Sequence, residues 1–156
     1  MGFFNKYRRL ISVCDGECMP ISQMNDDAFA GEMLGKGFMV KPKGKYFYAP
    51  CDGKISISDS KHAYTISTDD DLDILIHIGV DTVELKGDGF EPQIVEGQNV
   101  KSGDLITIAD LDLIKKNGFD TDCAVVITNP ENIEKLDFNY GTALGGKDIC
   151  MSFKIK

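Results

Sequence analysis

The sequence predicts an all-β fold, a sandwich or barrel of one domain, on three observations. Turn signals are dense, the runs between them are short and strand-like, and helical periodicity is scarce. Asp15-Gly16, Asp52-Gly53, Asp88-Gly89 and Asn117-Gly118 each supply a glycine suited to positive φ at a reversal. Further breaks fall at Gly35-Lys36-Gly37, Lys41-Pro42-Lys43-Gly44, Ala49-Pro50, Gly97, Gly103 and Gly145-Gly146. The 156 residues amount to one domain, long enough to bury a core without disulfide or metal staples.

Taken in order, the N-terminal segment 1–12 supports two readings, and the domain proper is placed at 13–156. Phe3, Phe4, Tyr7, Leu10 and Ile11 share one helical face, with Asn5, Lys6, Arg8 and Arg9 on the other, so a basic amphipathic helix could touch an anionic membrane. The plainer reading is a frayed terminus that enters a first strand near residues 10–13. Strands are then predicted at 38–40, 46–48, 55–58, 63–66, 74–80, 82–85, 105–109, 124–128 and 149–155, where β-branched and aromatic residues concentrate. One short helix is predicted over 110–118, with Asp110 and Asp112 at its start, Lys115 and Lys116 at its end, and Gly118 after it. A turn or so of helix is expected after Pro130, within 131–136.

Composition narrows the function. The chain carries 25 acidic and 17 basic residues, a net charge of −8. Arg8 and Arg9 are its only arginines. An electrostatic nucleic-acid binder needs clustered Lys and Arg and is excluded. An acidic surface favours basic protein partners. No apolar run reaches membrane-spanning length, and charges interrupt any secretory pattern at the N-terminus, so a cytoplasmic protein is expected. The five cysteines, Cys14, Cys18, Cys51, Cys123 and Cys150, are odd in number and include no CxxC pair, so all are read as thiols.

The two histidines carry the chemical interest. In the stretch 72–81, Leu72, Ile74, Ile76, Ile78 and Val80 alternate with Asp73, Leu75, His77, Gly79 and Asp81. The first set reads as a core face. His77 projects from the other, beside a glycine that cannot cover it. A second strand is expected to start at His62 and continue through Tyr64 and Ile66 on one face. Both histidines could be ordinary half-buried residues. Against that, His77 sits among apolar neighbours with Asp81 on its own face, and no serine-nucleophile, Walker or GxGxxG motif competes for the active site. A neutral imidazole can attack phosphorus and hold a phosphoramidate. A second imidazole can donate to the phosphoryl oxygens, and an apolar collar protects the P–N bond. Two histidines are too few for a zinc site alone; a bridging metal would need a third ligand from a partner protein.

The run Ile-Leu-Ile-His-Ile-Gly-Val-Asp-Thr-Val-Glu-Leu-Lys-Gly-Asp-Gly-Phe at 74–90 resembles the phosphorylation-site signature of the glucose-type enzyme IIA family of the bacterial phosphoenolpyruvate-dependent sugar phosphotransferase system. Other landmarks stand in the family's order: Asp26-Asp27-Ala28-Phe29-Ala30, Gly35-Lys36-Gly37-Phe38, Lys41-Pro42, Ala49-Pro50-Cys51-Asp52-Gly53, Ser60-Lys61-His62-Ala63, Glu96-Gly97-Gln98-Asn99-Val100 and Val125-Val126-Ile127-Thr128-Asn129. The likeness spans about residues 15–155. Asp71 departs from it, standing where the family often has glycine, but Asp tolerates a left-handed turn.

The resemblance implies an antiparallel β-sandwich with barrel-like closure. It implies that His77 carries the phosphoryl group on Nε2, that His62 supports transfer, and that the Ser60 hydroxyl orients His62. Asp26 and Asp81 would pair with an arginine of the donor, the histidine-containing phosphocarrier protein. Phe29, Met33, Leu34, Leu75 and Val83 would form an apolar patch around the site. The acceptor would be a cysteine on the IIB domain of a membrane sugar permease, and the chain would touch the membrane only through that permease or weakly through its N-terminus. A monomer that needs no cofactor is expected, with zinc at most in a partner complex.

Three rival readings are weaker. A lipoyl- or biotinyl-type carrier domain would share the 96–104 turn but needs a modified lysine hairpin that is absent. A regulatory module with spent histidines would not need both His62 and His77. A zinc peptidase would need a His-x-His or similar ligand set.

Overall fold

The computed structural model describes residues 7–156. Its strands are all joined antiparallel, and its core lies between the sheets. Among the described residues there are three sheets. The largest contains β2 (Gly16–Pro20), β3 (Lys36–Pro42), β5 (Gly53–Ile57), β6 (Ala63–Ser67), β7 (Asp73–Ile78), β9 (Asn99–Val100), β11 (Cys123–Ile127) and β13 (Gly141–Ala143), in the order β13-β2-β3-β11-β7-β6-β5-β9. The second sheet is β1 (Tyr7–Ile11), β14 (Ile149–Ile155) and β12 (Ile133–Phe138). In the third, β10 (Leu105–Ala109) lies between β4 (Tyr46–Tyr48) and β8 (Phe90–Pro92). Two short α-helices, α1 (Asp27–Ala30) and α2 (Leu111–Lys116), interrupt the strands.

The large sheet is covered on both faces at its centre. Strand β11 is a continuous apolar run, Cys-Ala-Val-Val-Ile, with every residue buried, as a strand between two packing layers requires. Cys123, Val125 and Ile127 join the main core, while Ala124 and Val126 join a second, smaller cluster with Ile21, Met24, Phe29 and Met39. Neighbouring β7 alternates instead. Ile74, Ile76 and Ile78 are fully buried in the main core; Asp73, Leu75 and His77 are half-buried on the other face. The small cluster, which Leu75 lines, therefore abuts the face that carries His77.

Five sequence expectations are corrected. Tyr7–Ile11 is a strand paired with β14, so the amphipathic-helix reading does not hold there and the folded sheet begins before residue 13; residues 1–6 lie outside the described residues. Thr82–Leu85 is a 3₁₀ turn, because Gly79, Asp81 and Lys86 all take left-handed φ and fold the chain back on itself. The turn after Pro130 ends at Asn132, and Ile133–Phe138 pairs with β14 as β12. Val80 leaves the core face: β7 ends at Ile78, the positive φ of Gly79 breaks the alternation, and Val80 packs on the small cluster instead. His62 precedes β6, and its ring lies against His77 rather than sharing a face with Tyr64 and Ile66. The helix expected over 110–118 is α2, with the Asp110 side chain accepting from the Leu113 amide. Asp71 takes φ +66, the left-handed turn that Asp tolerates.

Candidate functional site

The site grows from the register of β7. Its antiparallel partners place Ala124 of β11 and Ala63 of β6 directly opposite His77. A methyl group on each flank is the smallest side chain short of glycine, so neither neighbouring strand roofs the imidazole. The ring is half-buried. Its underside rests on Phe29, with ring centroids 5.1 Å apart. Phe29 is positioned by α1, a single helical turn that exists because the Asp26 carboxylate caps it, accepting from the amides of Ala28 at 3.0 Å and Phe29 at 3.4 Å. Asp26 is thus a structural cap as well as an acid beside the site.

His62 meets His77 edge-on, centroids 4.8 Å apart and planes at 86°. The two strands' ladder continues past β6 through the Ile78 amide, which donates to the His62 carbonyl at 2.8 Å. That bond ties the residue after His77 to the residue carrying the second ring. His62 is buried, and its Nδ1 has no hydrogen-bond partner. Burial first, then the facing His77, push its pKa down to about 4; the Ser60 backbone opposes this. Burial likewise lowers the pKa of His77, against the upward pull of the Gly79 carbonyl and of Asp26 and Asp81. Both rings are therefore neutral at pH 7.

The nucleophilic atom follows from one contact. Nδ1 of His77 lies 2.9 Å from the Gly79 carbonyl oxygen. A carbonyl only accepts, so in the neutral ring Nδ1 carries the proton and Nε2 keeps its lone pair.

Of the residues expected at the site, His77, His62, Phe29, Asp26, Asp81 and Leu75 come together. Phe29 is buried as the floor of the site, so it supports the apolar surface without being exposed on it. Met33, Leu34 and Val83 are exposed, at 79%, 42% and 51%. Met33 follows directly from the capped turn, its amide donating to the Ala28 carbonyl. Asp81 is exposed and left-handed, with its carboxylate free of any capping bond. Ser60 approaches His62 through its backbone; among the described residues its hydroxyl makes no hydrogen bond to either ring. Sequence reasoning missed Ala63, Ala124 and the Gly79 carbonyl, since strand register alone sets the first two opposite His77. The five cysteines are unpaired, and none enters the site. Among the described residues no group of three or more His, Cys, Asp or Glu could hold a metal.

A family described as the phosphoenolpyruvate-dependent sugar phosphotransferase system, EIIA 1, matches residues 8–133. The chain belongs to that family. It is therefore a component of a sugar phosphotransferase system, and a part in phosphoryl transfer goes with that membership. The chain is 38% identical over 130 residues to the glucose-specific EIIA component of Mycoplasma capricolum, covering 83% of this chain and 84% of that one. It is 35% identical over 152 residues to the glucose-specific EIIA component of Buchnera aphidicola, covering 96% and 94%. It is also 40% identical over 137 residues to the glucose-specific EIICBA component of Streptococcus pneumoniae, covering 87% of this chain but only 19% of that longer protein. Among solved structures, the glucose permease IIA of Mycoplasma capricolum superposes with a TM-score of 0.90 at 34% identity, covering 97% of this chain and 99% of that one. The β-sandwich architecture is shared with that structure.

Proposed function

We propose that this member of the family is a phosphoryl carrier whose working atom is Nε2 of His77. The observation that carries the reading is the Nδ1 contact to the Gly79 carbonyl, which leaves Nε2 as a neutral nucleophile beside a second neutral imidazole. The Nε2 lone pair attacks the phosphorus of a phosphohistidine on the donor, the histidine-containing phosphocarrier protein. The new P–N bond forms as the donor's P–N bond breaks, and that electron pair returns to the donor ring. The proton on Nδ1 stays, shared with the Gly79 carbonyl, which spreads the positive charge of the phosphorylated ring. An N–H of His62 donates to the phosphoryl oxygens.

With arginine confined to Arg8 and Arg9, the cation at the transferring group comes from the donor, received by Asp26 and Asp81. The net charge of −8 steers a basic donor face toward the site, and Met33, Leu34 and Val83 make the small apolar contact of a transient complex. In the onward step a thiolate of the permease IIB domain attacks the same phosphorus, S–P forms, and the pair returns to Nε2; the fusion of a IIA-like segment within an EIICBA protein supports that pairing. No cofactor enters either step, and the chemistry suits the cytoplasm, where both partners would meet it.

Incubation with phosphoenolpyruvate, enzyme I and the phosphocarrier protein should place acid-labile, base-stable phosphate on this chain. His77→Ala should abolish it, and labelling that persists in that variant overturns the reading. His62→Gln should still accept phosphate but pass it on poorly.

A further inference from the structure

Two consecutive peptide groups follow His77, and each is held at both ends. The Gly79–Val80 peptide offers its carbonyl to Nδ1 of His77 at 2.9 Å, and its N–H, on Val80, donates to the Asp120 carbonyl at 3.0 Å. The Ile78–Gly79 peptide donates its N–H, on Gly79, to the Asp122 carbonyl at 2.9 Å, while its own carbonyl, on Ile78, accepts from the Thr82 hydroxyl at 2.5 Å. Apart from His77 itself, Thr82 is the one side chain in this set of four bonds.

Thr82 is completely buried, although it is a polar residue at the start of a solvent-facing turn. Its methyl packs so closely on Gly79 that a Cβ there would overlap it. Gly79 itself sits at φ +82, a conformation open to glycine at little cost. Thr82 thus grips the chain twice at one point, by its hydroxyl on the Ile78 carbonyl and by its methyl on the face of Gly79.

We infer that Thr82 is a positioning residue for the phosphoryl transfer, orienting the Ile78–Gly79 peptide so that the next carbonyl faces Nδ1 of His77 and holds the proton there. The inference rests on the phosphoryl-carrier reading for its consequence, but not for its geometry. Without the hydroxyl, the buried Ile78 carbonyl loses its partner, and the 78–80 backbone turns to recover one. The Gly79 carbonyl then moves off Nδ1, and the tautomer with the proton on Nε2, whose lone pair is no longer available for attack, gains population.

The test compares wild type, Thr82→Val and Thr82→Ser in the full chain. The ring nitrogen chemical shifts of His77 are read by NMR without any phosphoryl donor, so they report the tautomer even if the carrier reading fails. Thermal midpoints and the initial rate of labelling by the phosphocarrier system are read beside them. Wild type and Thr82→Ser should show a protonated Nδ1 and a bare Nε2 and label at matching rates. Thr82→Val should show a mixed tautomer and label roughly tenfold more slowly, the scale expected when a reacting group is held out of line. A wild-type ring spectrum in folded Thr82→Val overturns the inference and leaves Thr82 a packing residue. If Thr82→Val does not fold, Thr82→Ser decides: a shifted tautomer with the hydroxyl still present overturns it, and an unshifted one supports it. Absence of labelling in wild type, with the ring signature intact, overturns the carrier reading alone.

Discussion

Replacing His62 with glutamine should make the protein less sensitive to acid. In the fold His62 is driven to about 4 by burial and by His77; unfolded, an imidazole titrates near 6.5. A histidine with its folded value below its unfolded value binds more protons when unfolded. Stability is therefore full above about pH 6.5 and falls as pH drops toward about 4. At pH 5 the unfolded ring is nearly all protonated while the folded ring is mostly neutral, so wild type should lose about 2 kcal/mol relative to pH 7 from this residue alone. A glutamine side chain cannot titrate, and the variant should lack that loss. The lowered pKa of His77 adds acid sensitivity to both proteins and largely cancels in the comparison. With a urea slope of about 1–3 kcal/mol per M, the gap between midpoints at the two pH values should shrink by on the order of 1 M in the variant. Equal gaps in the two proteins would refute the argument, as would a ring-proton titration placing His62 near 6.5.

Gly79→Ala should destabilise the chain by roughly 2 kcal/mol or more, because alanine is strained at φ +82 and its methyl meets both Thr82 and the Asp120 carbonyl; a melting temperature within error of wild type would contradict this. Asp26→Ala should cost about 1 kcal/mol through the lost cap and should also slow labelling by the donor, measured by denaturation and by initial rates. Met33→Asp, at an exposed position, should leave stability unchanged within about 0.5 kcal/mol and weaken donor binding, measured by titration calorimetry. Transfer from pre-phosphorylated phosphocarrier protein to His77 should be indifferent to EDTA, since among the described residues no group of three His, Cys, Asp or Glu could hold a metal; loss of that single transfer on chelation would show that a metal takes part.

Much of the fold is legible because β residues announce themselves locally. Val, Ile and aromatic runs between Gly and Pro breaks locate β3, β4, β7, β10, β11 and β14, and Asp110 with Gly118 brackets the longer helix. The strands that escape a sequence reading, β2, β8, β9, β12 and β13, are short or polar, and their place comes from neighbours rather than from propensity. Thr82, Val83 and Leu85 show the opposite error. They look like a strand, but the left-handed residues on either side of them, set by tertiary contacts, turn the segment into a 3₁₀ helix.

The alternation of β7 determines that His77 leaves the main core, and the signature around it determines the family; both are properties of the chain's order alone. Which atom of His77 is free, and how near the second ring stands, are decided only by folding. The tautomer hangs on a carbonyl that Gly79 can present at positive φ, and the open flanks hang on two alanines supplied by different strands. Period-two patterning specifies faces, because side chains alternate within a strand. It carries nothing about register between strands distant in sequence or about the direction of a carbonyl, and the chemistry of this site is settled by those two quantities.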